Sequence, residues 1–378
     1  MKMPAGFRYA STFAGIRKVA KDDLALIVSD VPAACAAVFT KNRVAAAPVE
    51  VARKNARGRV RAILANAGNA NCATRTGLRV VEECLAAGAE ALGVRAQEIL
   101  PASTGVISVE LDAGLIVHAM PRLVAELSAD RFEDAARAIL TTDTRMKVAY
   151  APGIAGITKG SGMIQPRMAT TLGFVVTDFV VSPAELRPIL RRAIERSYNR
   201  ISVDGDTSTN DMVAVLANGA SRKKPSLKKF EASLTEVLES LAVQIVRDGE
   251  GARRLVTIDV AGAASDAAAE KIARAIANSP LVKTAIAGAD PNWGRIISSA
   301  GNAGVVFDPR TVDITLQGVP VCRGGLAAEF SEDEMKKKMD VAEVAIRFEI
   351  RGKGRGKTRF WTCDFTEEYI RINGSYRT

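Results

Sequence analysis

Four segments of the chain carry side chains whose types and spacing suit catalysis. The first, Ile157 to Asp178 (ITKGSGMIQPRMATTLGFVVTD), puts Lys159 ahead of Gly160-Ser161-Gly162, small residues that let a backbone approach its partner closely. Pro166 then restricts the chain, and Ala169-Thr170-Thr171 leads into an apolar run. A glycine-rich loop before a strand reverses the order of phosphate-binding motifs, so it does not read as a nucleotide site. The second segment, Pro101 to Ile107 (PASTGVI), sets Thr104 beside Gly105. In a tight turn that pair presents a hydroxyl and a backbone N–H together, the components of an oxyanion hole. The third, Val203 to Asp211 (VDGDTSTND), has the spacing of a calcium loop, but Thr209 and Val215 stand where an EF-hand needs Gly and Glu. The fourth, Asp248 to Ala252 (DGEGA), places Glu250 between glycines, as a substrate-amine ligand or as an ordinary helix end. Taken singly, each segment also reads as a plain loop or turn.

The usual catalytic bases and metal ligands are scarce. His118, the one histidine, lies in the apolar stretch LIVHAM and reads as a packed or solvent-facing side chain, so a nucleophile here needs a base other than imidazole. Cys35, Cys72, Cys84, Cys322 and Cys363 form no C-x-x-C pair, which argues for reduced thiols rather than a disulfide framework or a zinc site.

The elements that must position these residues are mixed. Alternating or continuous apolar runs predict strands at Leu24–Val28, Val60–Ala65, Phe174–Val180 and Leu255–Val260. Leu78, Val81, Leu85 and Leu92 share a helical face ended by Gly93. Ser182, Pro183 and Glu185 supply a cap, a first-turn proline and a capping-box glutamate. Longer apolar periodicity predicts a helix from Lys228 to Arg247, and an alanine-rich one from Asp266 to Asn278 stops before Pro280. Near the end, Val344–Ile350, the link GKGRGK and the run through Phe360 and Thr362 read as a β-hairpin.

The 378 residues suggest two or three lobes, and 48% hydrophobic with 25% charged residues is ordinary globular usage. The longest apolar run, Val31 to Phe39, is far short of the ~20 residues of a membrane span, and the N-terminus lacks an apolar signal region. A soluble cytoplasmic protein is the expectation. The net charge of +10 is interspersed with acids, and aromatics are only 5%, so a field that attracts small carboxylates is at least as plausible a reading as a nucleic-acid surface.

Together and in order, the motifs GFRYAS, DLALIVSD, VFTKNRVAAAPV, NAGNANCATRTG, PASTGVI, TTDT, KGSGMIQPRMATTL, SVDGDTSTND, DGEGA, DPNWGR and YIRINGSYRT resemble the ornithine acetyltransferases of arginine biosynthesis, also called glutamate N-acetyltransferases. The resemblance covers essentially the whole chain. It departs only at flanking positions such as Arg167, Thr171 and Gly374-Ser375.

That resemblance implies an α/β (α+β) fold, two β-sheets sandwiched between helical layers with a smaller second α/β lobe. It implies self-cleavage between Ala169 and Thr170, giving an alpha chain 1–169 and a beta chain 170–378 that assemble as an α2β2 heterotetramer. The alpha chain would carry the oxyanion turn and the Lys-Gly-Ser-Gly loop, and the beta chain would carry Glu250 and a C-terminal substrate-binding tail. Thr170 becomes the nucleophile; its freed α-amine, with an unperturbed pKa of about 7.7–8.0, serves as base to its own hydroxyl. Thr104 and Gly105 form the oxyanion hole. Thr141, Lys159, Thr170, Glu250, Asn373 and Thr378 bind substrate. The reaction implied moves acetyl from N2-acetylornithine to glutamate, yielding ornithine and N-acetylglutamate, without cofactor or metal; the sequence leaves acetyl-CoA open as a second donor. The alternative is a self-cleaving aminopeptidase or amidohydrolase that passes the acyl group to water.

Overall fold

The computed structural model describes residues 2–165 and 171–375. The chain divides into two units. Of the described residues, the larger comprises those up to Asn199 together with Thr207–Ile245, and the smaller comprises Arg200–Asp206 and those from Val246 to Ser375. Each holds one mixed sheet, giving the two sheets and the smaller α/β lobe that the resemblance implies. The described residues on both sides of position 169/170, up to Gln165 and from Thr171, belong to the larger unit.

Strands β1 (Phe7–Thr12), β2 (Leu24–Phe39), β3 (Arg59–Asn69), β4 (Ile99–Val106), β5 (Lys147–Ala151), β6 (Ile154–Lys159), β7 (Leu172–Thr177) and β8 (Met212–Ala217) form the sheet of the larger unit. Their order is β4-β3-β2-β8-β7-β6-β5, with β1 pairing β2. Alternation along β2 creates two apolar faces. Leu24, Leu26 and Val28 pack with Val81 and Leu85 of helix Gly77–Leu92 and with Met120 and Leu123 of helix Ala113–Ala125. Ala25 and Ile27 belong to the opposite core, with Phe132, Ala135 and Ala136 of helix Phe132–Ala138. Strands buried on both faces read as continuous apolar runs, which is how β7 and β8 appear.

The smaller unit contains β9 (Leu255–Ala263), β10 (Val312–Leu316), β11 (Val319–Arg323), β12 (Leu326–Ala327), β13 (Glu343–Ile350) and β14 (Gly356–Cys363), in the order β12-β11-β10-β13-β9-β14. Here the hairpin expectation fails. The two strands form where the alternation places them, but β9 lies between them, parallel to β13 and antiparallel to β14. The GKGRGK link therefore steps across one intervening strand, a gap of about 10 Å that a chain of this length spans with ease. Insertion of β9 brings Val256, Ile258 and Val260 into one core with Val344, Ile346, Phe348 and Phe360. Pro280, read as a helix stop, also starts the next helix, Pro280–Ala287, whose cap Ser279 accepts from the Val282 N–H. Among the described residues no helix is long and apolar enough to cross a membrane.

Candidate active site

Within the larger unit, Thr104 and Gly105 close β4 where its register with β3 slips at Gly68 and Asn69. Gly105 has φ +133, and a Cβ there would stand 2.3 Å from the Gly68 carbonyl carbon and 2.5 Å from the Asn69 nitrogen. The close approach of two backbones admits glycine alone. Thr104 and Gly105 thus stand in a strand rather than in the tight turn expected from PASTGVI, because β4 keeps pairing with β3 through Val106. Buried polar side chains fix this strand end: Ser103 Oγ donates to Asn66 Oδ1 at 2.5 Å, and Asn66 Nδ2 donates to the Asn69 carbonyl at 2.9 Å.

Lys159, at the end of β6, reaches this strand end. Its Nζ donates to Thr104 Oγ1 at 3.3 Å and lies 4.0 Å from Asp143 Oδ2. A hydroxyl that accepts from an ammonium directs its own proton elsewhere and becomes a stronger donor, the property an oxyanion contact needs. Asp143 organises the surrounding groups. Its Oδ1 accepts from Lys147 Nζ at 2.6 Å and from the Gly160 N–H at 2.7 Å. Its Oδ2 accepts from the Thr141 N–H at 2.9 Å and from the Thr141 hydroxyl at 3.4 Å. Burial alone would raise the Asp143 carboxyl, but Lys159 and Lys147 outweigh it and hold the group well below the usual carboxylate range. Four of the expected residues, Thr104, Gly105, Thr141 and Lys159, are thus brought into one network.

The strand that would follow the nucleophile is also anchored. Thr171 O accepts from the Met212 N–H at 2.8 Å, and the Thr171 and Thr158 hydroxyls meet at 3.1 Å. Ala169 and Thr170 themselves lie outside the described residues, as does Thr378.

In the smaller unit, Glu250 follows the helix Leu227–Arg247 and Asn373 sits on the helix Glu367–Ser375. Asn373 Nδ2 donates to Glu250 Oε2 at 2.8 Å. Between them Gly251, at φ +70, lets the second helix come close: a Cβ would stand 2.5 Å from the Tyr369 nitrogen. Tyr369 donates to Asp204 Oδ2 at 3.4 Å, and burial, then the Asp204 and Glu250 charges, push its phenol well above the ordinary value. This is a negative environment suited to an ammonium group.

Sequence reasoning missed Asp143 and Lys147 as site residues. The available signal was the TTDT segment and the four-residue spacing that pairs the two side chains. His118 is exposed on its helix, and the five cysteines are buried and free.

Comparisons of the sequence with known proteins extend over nearly the full length of the chain. The ArgJ family model matches residues 8–378. The "Arginine biosynthesis bifunctional protein ArgJ" of Thermus thermophilus is 45% identical, covering 100% of both chains, and that of Agrobacterium fabrum is 42% identical over 100% of this chain and 96% of its own. The crystal structure of the ArgJ bifunctional protein from Bacillus halodurans matches with a TM-score of 0.52 and 40% identity, covering 54% of this chain and 98% of that one.

Proposed function

Because this chain belongs to the ArgJ family, we propose a division of labour among its residues for the family's acetyl transfer. The enzyme is an acyltransferase of arginine biosynthesis, moving acetyl from N2-acetylornithine to glutamate. The alternative of hydrolysis is not favoured by relatives matched over their whole length.

Thr170 Oγ first attacks the Ala169 carbonyl, and the C–N bond of that peptide gives way to an ester that water then opens. The product is a chain of 169 residues and a second of 209 (378 − 169) that begins with an amine and a hydroxyl on one residue. The amine takes the hydroxyl proton as Thr170 attacks the acetyl carbonyl of the donor. The oxyanion that develops is met by the Gly105 N–H and by the Thr104 hydroxyl, which Lys159 polarises. Ornithine leaves, glutamate enters, and its amine takes the acetyl group. Lys159 and Thr141 bind substrate carboxylate and carbonyl groups, Glu250 binds an ammonium, and Asn373 and Thr378 also bind substrate.

The observation that carries this reading is the Lys159 bridge between Thr104 and the buried Asp143. Support for cleavage comes from the Bacillus halodurans structure, whose chain is matched nearly end to end by 54% of this sequence, close to the share that follows residue 169. The relatives' name, bifunctional, supports acetyl-CoA as a second donor. The cleaved chains assemble as α2β2, which light scattering of the purified enzyme measures directly.

Thr170→Ala and Thr170→Ser test the core of the proposal. The serine variant keeps a hydroxyl and, once cut, an amine; it retains part of both cleavage and transfer. The alanine variant loses both, and wild-type protein gives an N-terminal sequence TTLGFV. An alanine variant that forms N-acetylglutamate at the wild-type rate refutes the assignment. Acetylornithine and acetyl-CoA assayed in parallel decide the donor range.

A further inference from the structure

The two residues ahead of β8, Asn210 and Asp211, are almost wholly buried, at 5% and 2% exposure. Asn210 is directed at the end of β4. Its Nδ2 donates to the Ser103 carbonyl at 2.9 Å, one residue before Thr104, and to the Ala70 carbonyl at 2.6 Å. Its Oδ1 accepts from Thr209 Oγ1 at 2.6 Å, so both donors and the acceptor of the amide are used.

Asp211 is directed at the strand that residue 170 feeds. The Met212 N–H donates to Thr171 O at 2.8 Å, and the Thr171 N–H faces the Asp211 carboxyl. The start of β8 therefore grips Thr171 through both of its peptide groups. The Asp211 Oδ2 atom is buried without a hydrogen-bond partner among the described residues. Burial holds this carboxyl well above its ordinary value; the Ser208 hydroxyl, the Lys159 charge, the Thr40 hydroxyl and the Thr171 amide offset only part of the effect. A buried carboxyl with an unused oxygen destabilises a fold, and such groups persist where function needs them.

We propose that Asn210 and Asp211 are positioning residues that lock the end of β4 and Thr171 into one register, as cleavage and acetyl transfer by Thr170 require. This deepens the reading above and rests on Thr170 as the nucleophile. Asn210 fixes the acceptor side through Ser103, and Asp211 fixes the attacking side through Thr171. A misplacement of about 1 Å in such a pair costs about 10²-fold in rate.

The test follows self-cleavage by mass, acetyl transfer and thermal unfolding in the full-length Asp211→Leu, Asp211→Asn, Asn210→Ala and Thr170→Ala proteins. Asp211→Leu should cleave about 100-fold more slowly, a loss out of proportion to any change in its Tm. Asp211→Asn, whose amide oxygen still accepts from the Thr171 N–H, should recover most of that rate. Asn210→Ala should lower kcat with KM unchanged. Wild-type cleavage by Asp211→Leu overturns the proposal, and so does a rate that falls in step with Tm and is not recovered by asparagine. Should Asp211→Leu yield no folded protein, Asp211→Ser, too short to reach Thr171, takes its place in the same comparison. Thr170→Ala separates the two readings. Wild-type behaviour of that variant removes the nucleophile, whereas an inert Thr170→Ala beside normal Asp211→Leu and Asn210→Ala removes only the positioning role.

Discussion

Asp143→Asn perturbs the centre of the larger unit's polar network. The native side chain is fully buried and serves four donors: Lys147 Nζ, the Gly160 N–H, and the Thr141 N–H and hydroxyl. Asparagine offers one oxygen in place of two, and its NH2 would face at least one of those donors. Lys147, at 1% side-chain exposure, is left as a charge without its carboxylate. Removing one member of such a pair costs about 3–5 kcal/mol, whereas removing both is close to neutral. Urea unfolding at pH 7 should therefore show a loss of about 3–5 kcal/mol for Asp143→Asn, most of it recovered in Asp143→Asn/Lys147→Met. The pH dependence has a definite sign. Because the folded carboxyl is held below its unfolded value, its contribution is complete above the unfolded pKa of about 3.9 and is lost as pH falls through the folded value. The gap between wild type and variant should stay constant from neutral pH down to about 5 and shrink below about 4. A loss under about 1 kcal/mol at pH 7, or a gap that widens in acid, refutes the reasoning.

Gly105→Ala forces a Cβ against the Gly68 carbonyl carbon and turns the oxyanion N–H aside; kcat for acetyl transfer should fall about 10²–10³-fold, and an unchanged kcat places the oxyanion contact elsewhere. Gly251→Ala pushes helix Glu367–Ser375 off Glu250 and breaks the Asn373 contact, so KM for acetylornithine should rise about 10–100-fold while cleavage at residue 170 proceeds. Initial rates with both substrates varied should give parallel double-reciprocal lines, the mark of a covalent acetyl-enzyme; intersecting lines require direct transfer within a ternary complex.

Local chemistry was legible in the sequence, and long-range meetings were not. Ser182 and Glu185 announce their helix, and they bond each other as a capping box, with Ser182 N–H donating to Glu185 Oε2 at 2.9 Å. Val60–Ala65 and Leu255–Val260 alternate or run apolar because a sheet buries them, and both lie inside strands. Thr104 and Gly105 could be read as a hydroxyl and an N–H side by side because both groups come from adjacent residues, while their place in β4 was not readable. The partner that polarises Thr104 comes from 55 residues away, and no local spacing announces it. Asp143 likewise gains its meaning only when β6 brings Lys159 and Gly160 beside it. The final strands show the same limit: alternation marked them correctly, while their pairing depended on β9, almost a hundred residues upstream.

The place of β9 between β13 and β14 also sets a timetable for biosynthesis. Asp259 receives both Arg359 guanidinium contacts, at 2.8 and 3.0 Å, from a residue 100 positions later, and its other neighbour across the sheet is Arg347. At about 5–20 residues per second, a nascent chain that has emitted β9 waits about 5–20 s for its second flank to emerge. Throughout that interval an apolar strand has unpaired edges, the condition that invites pairing with another chain. The larger unit's sheet is closed by β8, so its strands are all synthesised before β9 appears. Ribosome-bound chains halted ahead of Gly356 should therefore recruit chaperones through β9, and chains released past Cys363 should not.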